Sequence, residues 1–202
     1  MPDMAAVAAF IKNAEVMGIR VAEAKDLAAA MTYALAVCDA KDFCDLLPVN
    51  EEESFSERRR ATGKVFAAPG LEDAVFAFLS QEGEAKGFSV IKDGLRDHLA
   101  GIDVAFTFAD IGIAETATCA VASGSEEVRV ATMVCEIHVV ALQKSAILPH
   151  LDDAAEYLNR CFSSGPAYTA FISGPSRTAD IERTLAIGVH GPLELHVVLL
   201  EE

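Results

Sequence analysis

The segment KVFAAPGLEDAVFAFLSQEGEAKGFSVIKDG, residues 64–94, contains the pattern that decides the fold. Two short apolar runs, residues 65–67 and 88–91, flank a stretch with helical spacing at residues 71–81. A strand, a helix and a second strand in this order form a βαβ unit, whose two strands lie parallel in one sheet. The segment therefore predicts an α/β protein with a mostly parallel sheet.

The same alternation continues toward the end of the chain. Further predicted strands are residues 104–108, 117–122, 137–141, 168–172 and 195–200. Further predicted helices are residues 93–99, 151–161 and 179–187. Because these strands are apolar along their whole length, both faces of the sheet are expected to be buried. The prediction is a three-layer α/β/α domain.

Residues 1–60 follow a different pattern. Helical spacing runs through the first forty residues, with a break at Gly18 and a second, alanine-rich stretch at residues 22–40. An acidic cluster at residues 51–53 and a basic cluster at residues 58–60 then indicate a solvated surface connection, or alternatively a docking patch. We expect an N-terminal helical segment with its connection at residues 1–60 and an α/β domain at residues 61–202.

Composition excludes several classes of function. The chain has 16 basic and 31 acidic residues and a formal charge of −15, which argues against nucleic-acid binding. No apolar run approaches the roughly 20 residues that span a bilayer, and the start of the chain lacks a basic secretion signal, so a cytoplasmic location is expected. The five cysteines are scattered, which predicts reduced thiols with neither a disulfide framework nor an iron–sulfur cluster.

The stretch FISGPSRTADIE, residues 171–182, is the first candidate site. A predicted strand leads through a turn of small residues into a predicted helix, whose first backbone N–H groups attract anions. Ser176 or Thr178 can cap this helix, and Arg177 can pair with a carboxylate or a phosphate. The alternative is a plain helix cap in which Arg177 pairs with a carboxylate of its own helix.

The stretch FADIGIAETAT, residues 108–118, is the second candidate. Asp110 and Glu115 lie in a connection between apolar runs, where a carboxylate can act as a base, a nucleophile or a ligand-orienting group. Carboxylates beside glycine are also common in ordinary turns, so that alternative stays open.

The loop GVHGP, residues 188–192, is the third candidate. His190 lies between a helix-ending glycine and a rigid Gly-Pro turn and can titrate near neutral pH, although a solvated loop histidine is the alternative. The chain has no metal-binding histidine spacing, no dinucleotide or triphosphate glycine motif and no nucleophile elbow.

These three stretches, in this order, resemble the lactate utilization protein C family, whose defining module is the LUD domain. The resemblance rests on residues 173–182, the loop at 188–192, the terminal strand LELHVVL, the segment ADIGIAET at 109–116 and the strand IHVV at 137–140. It covers roughly residues 66–202. The chain departs from the family pattern at Ala117, where the family usually has glycine, and at residues 134–136, where the family has a Leu-Pro pair.

The resemblance implies a fold similar to the group of ribose-5-phosphate isomerase, glucosamine-phosphate deaminase and CoA-transferase. It also implies participation in the oxidation of lactate to pyruvate, together with an iron–sulfur subunit that carries a related LUD domain and a separate cysteine-rich subunit. No cofactor is expected in this chain, because the iron–sulfur clusters belong to those partners. A homo-oligomer stays open.

The expected site is a cleft at the carboxyl edge of the sheet that binds a small carboxylate or phosphate, because the three loops are expected to converge there. Glu115 and Asp110 would orient the ligand or accept a proton, and His190 would close the site. The expected ligand-binding residues are Thr116, Ser173, Gly174, Ser176, Arg177, Thr178 and Asp180. The alternatives are a stand-alone isomerase- or CoA-transferase-like enzyme with Glu115 as base or nucleophile, and an assembly or regulatory module.

Overall fold

The computed structural model of the chain describes residues 1–42, 63–98, 101–163, 168–178, 186–188 and 190–201. The α-helices in these ranges are α1 (Met4–Met17), α2 (Leu27–Ala40), α3 (Asp73–Ala85), α4 (Glu126–Val134) and α5 (Ala155–Ser163). The strands are β1 (Arg20–Ala24), β2 (Val65–Ala67), β3 (Ser89–Ile91), β4 (Ile102–Phe108), β5 (Ile111–Ile113), β6 (Thr118–Ala122), β7 (Cys135–Gln143), β8 (Ile147–Leu148), β9 (Thr169–Ile172), β10 (Arg177–Thr178), β11 (Ala186–Ile187) and β12 (Glu194–Leu200). Short 3-10 helices cover Leu95–His98, Ala114–Thr116, Lys144–Ala146 and Leu151–Ala154.

Six parallel strands form the central sheet, in the order β1-β12-β7-β4-β2-β3. Strands β4 and β7 lie in its middle and are buried along nearly their whole length. Strands β2 and β3, which α3 connects in the sequence, pair in parallel, as the βαβ pattern of residues 64–94 predicts. The predicted mostly parallel sheet is confirmed.

Helices cover both faces of this sheet. On one face, α2 and α3 bury side chains such as Met31 and Leu79 against Phe66 and Phe106. On the other face, α1 packs on β7 and β12, with Phe10 fully buried, and α4 packs beside them through Ala131. The three-layer α/β/α prediction is therefore confirmed.

The first two helices begin at aspartate caps. Asp3 accepts hydrogen bonds from the backbone N–H groups of Ala5 and Ala6, and Asp26 accepts one from Ala29. The predicted helix at residues 22–40 is wrong at its start, since α2 begins only after Asp26. The preceding residues 20–24 instead form β1, which pairs with β12 at the edge of the central sheet.

A second sheet, in the order β8-β5-β6-β9, continues from the middle of the first. Strand β5 follows β4 after two residues, and β8 follows β7 after a short 3-10 helix, so both sheets share the path of these two strands. Strands β6 and β9 are antiparallel to their neighbours. At β5, Gly112 permits the close packing, because a Cβ there would lie 2.7 Å from Leu142 Cδ2.

Two further helix predictions change in detail. The stretch predicted at residues 93–99 is a single 3-10 turn at Leu95–His98, with Leu99 outside the described residues. The stretch predicted at residues 151–161 is a 3-10 turn followed by α5. The predicted domain boundary at residue 60 lies outside the described residues and stays a prediction.

Candidate functional site

Glu115 lies in the turn after β5, beside the second half of α1. The side-chain amide of Asn13 donates to the carbonyl oxygens of Ala114 and Glu115, which ties this turn to the helix. The Glu115 carboxylate accepts hydrogen bonds from His150 Nδ1 at 3.0 Å and from the Leu151 backbone N–H at 2.8 Å. These two hydrogen bonds lower the pKa of Glu115, and the one from His150 has the larger effect. The hydrogen bond with Glu115 in turn raises the pKa of His150. Glu115 is thus held as an ionised, partly exposed carboxylate.

Asp110 lies at the opposite end of β5. Its Oδ2 accepts hydrogen bonds from the Ala122 backbone N–H at 2.7 Å and from the Tyr157 hydroxyl at 3.2 Å. All of β5 lies between Asp110 and Glu115, and its three residues alone span about 10 Å, at roughly 3.3 Å per residue. The structure therefore does not bring the two carboxylates together around one small ligand.

The structure does bring together a chain of three hydroxyl groups. Thr116 Oγ1 lies 2.7 Å from Thr118 Oγ1, which lies 2.6 Å from Ser173 Oγ. The antiparallel pairing of β6 with β9 places Thr118 beside Ser173, although the two are far apart in the sequence. Thr116 and Ser173 are among the predicted ligand-binding residues. Thr118 is not, and its position two residues after Thr116 in the same motif is the signal that could have identified it.

The helix predicted at residues 179–187 is wrong at Ala186 and Ile187, which are the residues of that stretch that the structure describes. Arg177 and Thr178 form β10, which pairs antiparallel with Ala186 and Ile187 in β11. The anion-binding helix start expected at residues 176–178 is absent from these residues, because Arg177 and Thr178 lie in a strand and the Ser176 N–H donates to the Pro192 carbonyl oxygen. Asp180 and the rest of residues 179–185 lie outside the described part of the chain.

Arg177 contacts the end of α1 instead. Its Nη2 donates a hydrogen bond to the carbonyl oxygen of Met17, where a cation stabilises the negative end of the helix. Gly174 lies at the same helix end with a φ of 98°, and a Cβ there would meet the Met17 carbonyl oxygen at 3.1 Å. The turn at residues 173–177 is therefore fitted closely to the C-terminus of α1.

The predicted convergence at the carboxyl edge of the central sheet is wrong. The Ser176 backbone N–H donates to the Pro192 carbonyl oxygen, and the Leu193 N–H donates to that of Glu136. These contacts put the residues around 176 and 192 beside the first residues of β12 and β7, at the amino edge, whereas Asp110 follows the last residue of β4. The reason is that β9 belongs to the second sheet and returns antiparallel to β6. His190 is exposed in this region.

Two buried strand histidines were not predicted as site residues. His138 on β7 is fully buried, and its Nε2 lies 2.8 Å from the Thr107 hydroxyl oxygen. Burial lowers the pKa of His138 to about 4, so its imidazole is neutral near pH 7. His196 on β12 contacts the Tyr33 hydroxyl through Nδ1 and Glu194 through Nε2, each at 2.9 Å. A histidine within an apolar strand was the available signal for both.

Within the described ranges, no helix is long and apolar enough to cross a membrane. In the same part of the chain, no group of three or more histidine, cysteine, aspartate or glutamate side chains is arranged to hold a metal ion.

Comparison with known proteins identifies the family. Residues 7–200 match the model of the LUD domain. The chain is 33% identical over 109 residues to lactate utilization protein C of Geobacillus sp. (strain WCH70), covering 52% of this chain and 45% of the relative. It is 34% identical over 103 residues to lactate utilization protein C of Halalkalibacterium halodurans, covering 50% of this chain and 45% of the relative. These matches thus span less than half the length of the relatives.

The fold is similar to the crystal structure of a DUF162 family protein from Deinococcus radiodurans. The TM-score is 0.63 at 15% sequence identity, and the match covers 99% of each chain. At this identity the likeness concerns the fold alone. The family match over residues 7–200 confirms the resemblance drawn from the motifs: the chain belongs to the LUD domain family.

Proposed function

We propose that this chain is the cluster-free, ligand-binding component of a cytoplasmic lactate utilization system that oxidises lactate to pyruvate. The observation that carries the proposal is the family match over residues 7–200, together with relatives named lactate utilization protein C. The oxidation releases two electrons and two protons per lactate, as chemistry requires of an alcohol becoming a ketone. The electrons would pass to iron–sulfur clusters on an iron–sulfur LUD-domain subunit and a cysteine-rich subunit.

The state of the thiols supports this division of labour. Burial raises the pKa of Cys38 and of Cys119 to about 12 and also raises that of Cys135. A thiolate, not a thiol, binds iron, so these three side chains are poor ligands. The small ligand of this component would be a carboxylate, held near the turn at residues 172–174.

The isomerase- or CoA-transferase-like alternative requires a carboxylate at Glu115 that is ready to attack or to take a proton. Both oxygens of this carboxylate are engaged, one by His150 and one by Leu151. Its lowered pKa also makes it a weak base near pH 7. We therefore favour the ligand-binding component over the stand-alone enzyme.

Reconstitution tests the proposal. The chain is co-expressed with the iron–sulfur LUD-domain subunit and the cysteine-rich subunit from the same genome, and lactate-dependent reduction of an electron-accepting dye is measured. We expect the three proteins to co-purify and the dye reduction to depend on this chain. Equal dye reduction without this chain, in the absence of co-purification, would refute the proposal. Co-purification with unchanged dye reduction would favour the assembly module.

A further inference from the structure

A cavity of about 150 Å³ lies between the central sheet, α4 and β9. His138 of β7 and Leu195 of β12 line it from the sheet. Arg129 and Met133 line it from α4, and Ile172 lines it from β9. Gly174, in the turn that the family motif contains, also borders it. The cavity therefore joins the motif turn to the middle of the sheet.

His138 lines this cavity and carries a polar atom without a hydrogen-bond partner among the described residues. The side chain is fully buried, and Nε2 is engaged by the hydroxyl of Thr107. The other ring nitrogen, Nδ1, has no hydrogen-bond partner in the described part of the chain. A buried polar atom of this kind is normally paired, so its state calls for a partner. Because the Thr107 hydroxyl can either donate to Nε2 or accept from it, Nδ1 is free to be an acceptor or a donor.

Arg129 adds a fixed positive charge. Its Nη1 donates to the carbonyl oxygens of Ser123 at 2.6 Å and Gly124 at 3.2 Å, which holds the guanidinium in place. Its remaining N–H groups have no partner among the described residues. A positioned guanidinium with free N–H groups is well suited to pair with a carboxylate.

The size of the cavity limits the ligand. A cavity near 150 Å³ accommodates a molecule as large as benzene, with about six non-hydrogen atoms. Lactate and pyruvate are of this size, and their methyl group suits the apolar side chains of Met133, Ile172 and Leu195. Met133 and Tyr168 are exposed and lie at the mouth of the cavity, which leaves a path for entry.

We propose that this cavity binds a small 2-hydroxy or 2-oxo carboxylate, with Arg129 pairing with the carboxylate and His138 Nδ1 bonding the oxygen at carbon 2. The choice of ligand rests on the proposed function. A hydroxyl at carbon 2 donates to Nδ1 in one tautomer of His138, and a keto oxygen accepts from Nδ1–H in the other. One site therefore accommodates both the reduced and the oxidised acid, with Thr107 adjusting its hydroxyl.

Titration calorimetry on the full chain tests the proposal, with L-lactate, D-lactate and pyruvate as probes. Lactamide serves as the uncharged analogue and inorganic phosphate as the unrelated anion. We expect saturable binding of at least one of the three acids. Lactamide and phosphate should bind at least about tenfold more weakly, since the charge-assisted hydrogen bond to Arg129 is lost with lactamide and misplaced with phosphate.

Three variants address the cavity directly. Arg129→Gln removes the charge and should bring the affinities for lactate and lactamide together. His138→Phe should lower the binding affinity for every acid by at least about tenfold. Ala170→Leu fills the cavity from β9 without changing a polar group and should abolish binding. His196→Phe replaces another buried strand histidine outside this cavity and is the matched control, expected to retain binding.

Thermal melting of each variant establishes that it is folded. If His138→Phe does not fold, the binding measurements on Arg129→Gln and Ala170→Leu decide the outcome. Absence of saturable binding to all three acids would overturn the proposal, as would unchanged binding in folded Arg129→Gln and Ala170→Leu. If the reconstituted system still depends on this chain after either result, the cavity assignment fails and the proposed function stands. If the acids bind through these residues but the chain co-purifies with neither subunit, the system membership fails and the cavity stands.

Discussion

Replacement of Lys41 by methionine should destabilise the protein strongly. The Lys41 side chain is 8% exposed and lies 3.0 Å from Asp103 Oδ1 and 2.6 Å from Glu136 Oε2, and Asp103 is 0% exposed. Burial opposes the charge of Lys41, but the hydrogen bonds with Glu136 and Asp103 outweigh it and raise the pKa of Lys41. Lys41→Met removes the cation of these two buried ion pairs, and breaking a buried ion pair by removing one member costs about 3–5 kcal/mol.

For a chain of this length, that loss corresponds to a fall in Tm of about 6–20 °C, at roughly 2–4 °C per kcal/mol. Chemical denaturation of Lys41→Met and of the native chain near pH 7 measures the free energy directly. Because the pKa of Lys41 is raised, its contribution is present below the unfolded-state pKa of about 10.4 and is lost as the pH rises through the higher folded-state value. The difference between the two proteins should therefore shrink only at strongly alkaline pH.

An exposed ion pair provides the control. Lys86 lies 2.9 Å from Asp39 Oδ2, but both side chains are largely exposed, so Lys86→Met should cost less than about 1 kcal/mol. The double variant Lys41→Met/Glu136→Gln should recover part of the loss, because it also removes the charge of one of the two carboxylates that Lys41 faces. A loss in Lys41→Met no larger than that in Lys86→Met would refute the reasoning.

Three further predictions concern the candidate site and the close packing beside it. In Glu115→Gln, the pKa of the His150 imidazole should fall toward its ordinary value, as followed by NMR titration. The pairing stabilises the fold between the lowered pKa of Glu115 and the raised pKa of His150, and this stabilisation is lost as the pH rises through the pKa of His150 or falls through that of Glu115. An unchanged titration would mean that the pair does not form in solution. Ala117 has a φ of 49°, so Ala117→Gly relieves about 1–2 kcal/mol of backbone strain. It also loses about 0.8 kcal/mol of methyl burial and about 0.5–1 kcal/mol of chain entropy, which leaves a net change in unfolding free energy below about 1 kcal/mol; a loss above about 2 kcal/mol contradicts this balance. Gly112→Ala should cost about 1–3 kcal/mol in denaturant unfolding, since its Cβ would overlap Leu142, and a neutral result would show that the neighbouring side chains yield.

The local sequence pattern was sufficient to predict the strands and helices whose own residues have the periodicity of that element. The strands of the central sheet from β2 onward and helix α3 were predicted because each buried strand is a continuous apolar run and each helix has apolar residues at helical spacing. Strand β1 was missed because residues 20–24 mix charged and apolar side chains. They become a strand by pairing with β12, in which the partner of Arg20 is His196, 176 residues further along the sequence.

The motif stretches were recognisable in the sequence, but their arrangement in space was not. The motif at residues 109–116 and the turn at 173–177 are recognisable in the sequence and are sufficient to indicate the family. The helix expected at residues 179–187 is wrong at Ala186 and Ile187, because these two residues pair as β11 with β10. Ser173 meets Thr118 for the same kind of reason, since the register of β9 on β6 sets that contact.

The sequence by itself determined the α/β class, the acidic charge, the scattered cysteines and the family, because each depends on residue types and short spacings. Only the tertiary structure decided that β9 joins a second sheet. That placement in turn decides which loops lie at the same edge of the central sheet. Strand pairing depends on hydrogen bonds between distant segments, which a short window of sequence does not specify. The same applies to His138, an ordinary apolar-strand histidine in the sequence. Folding places it at the same cavity as Arg129, with one ring nitrogen that has no partner among the described residues.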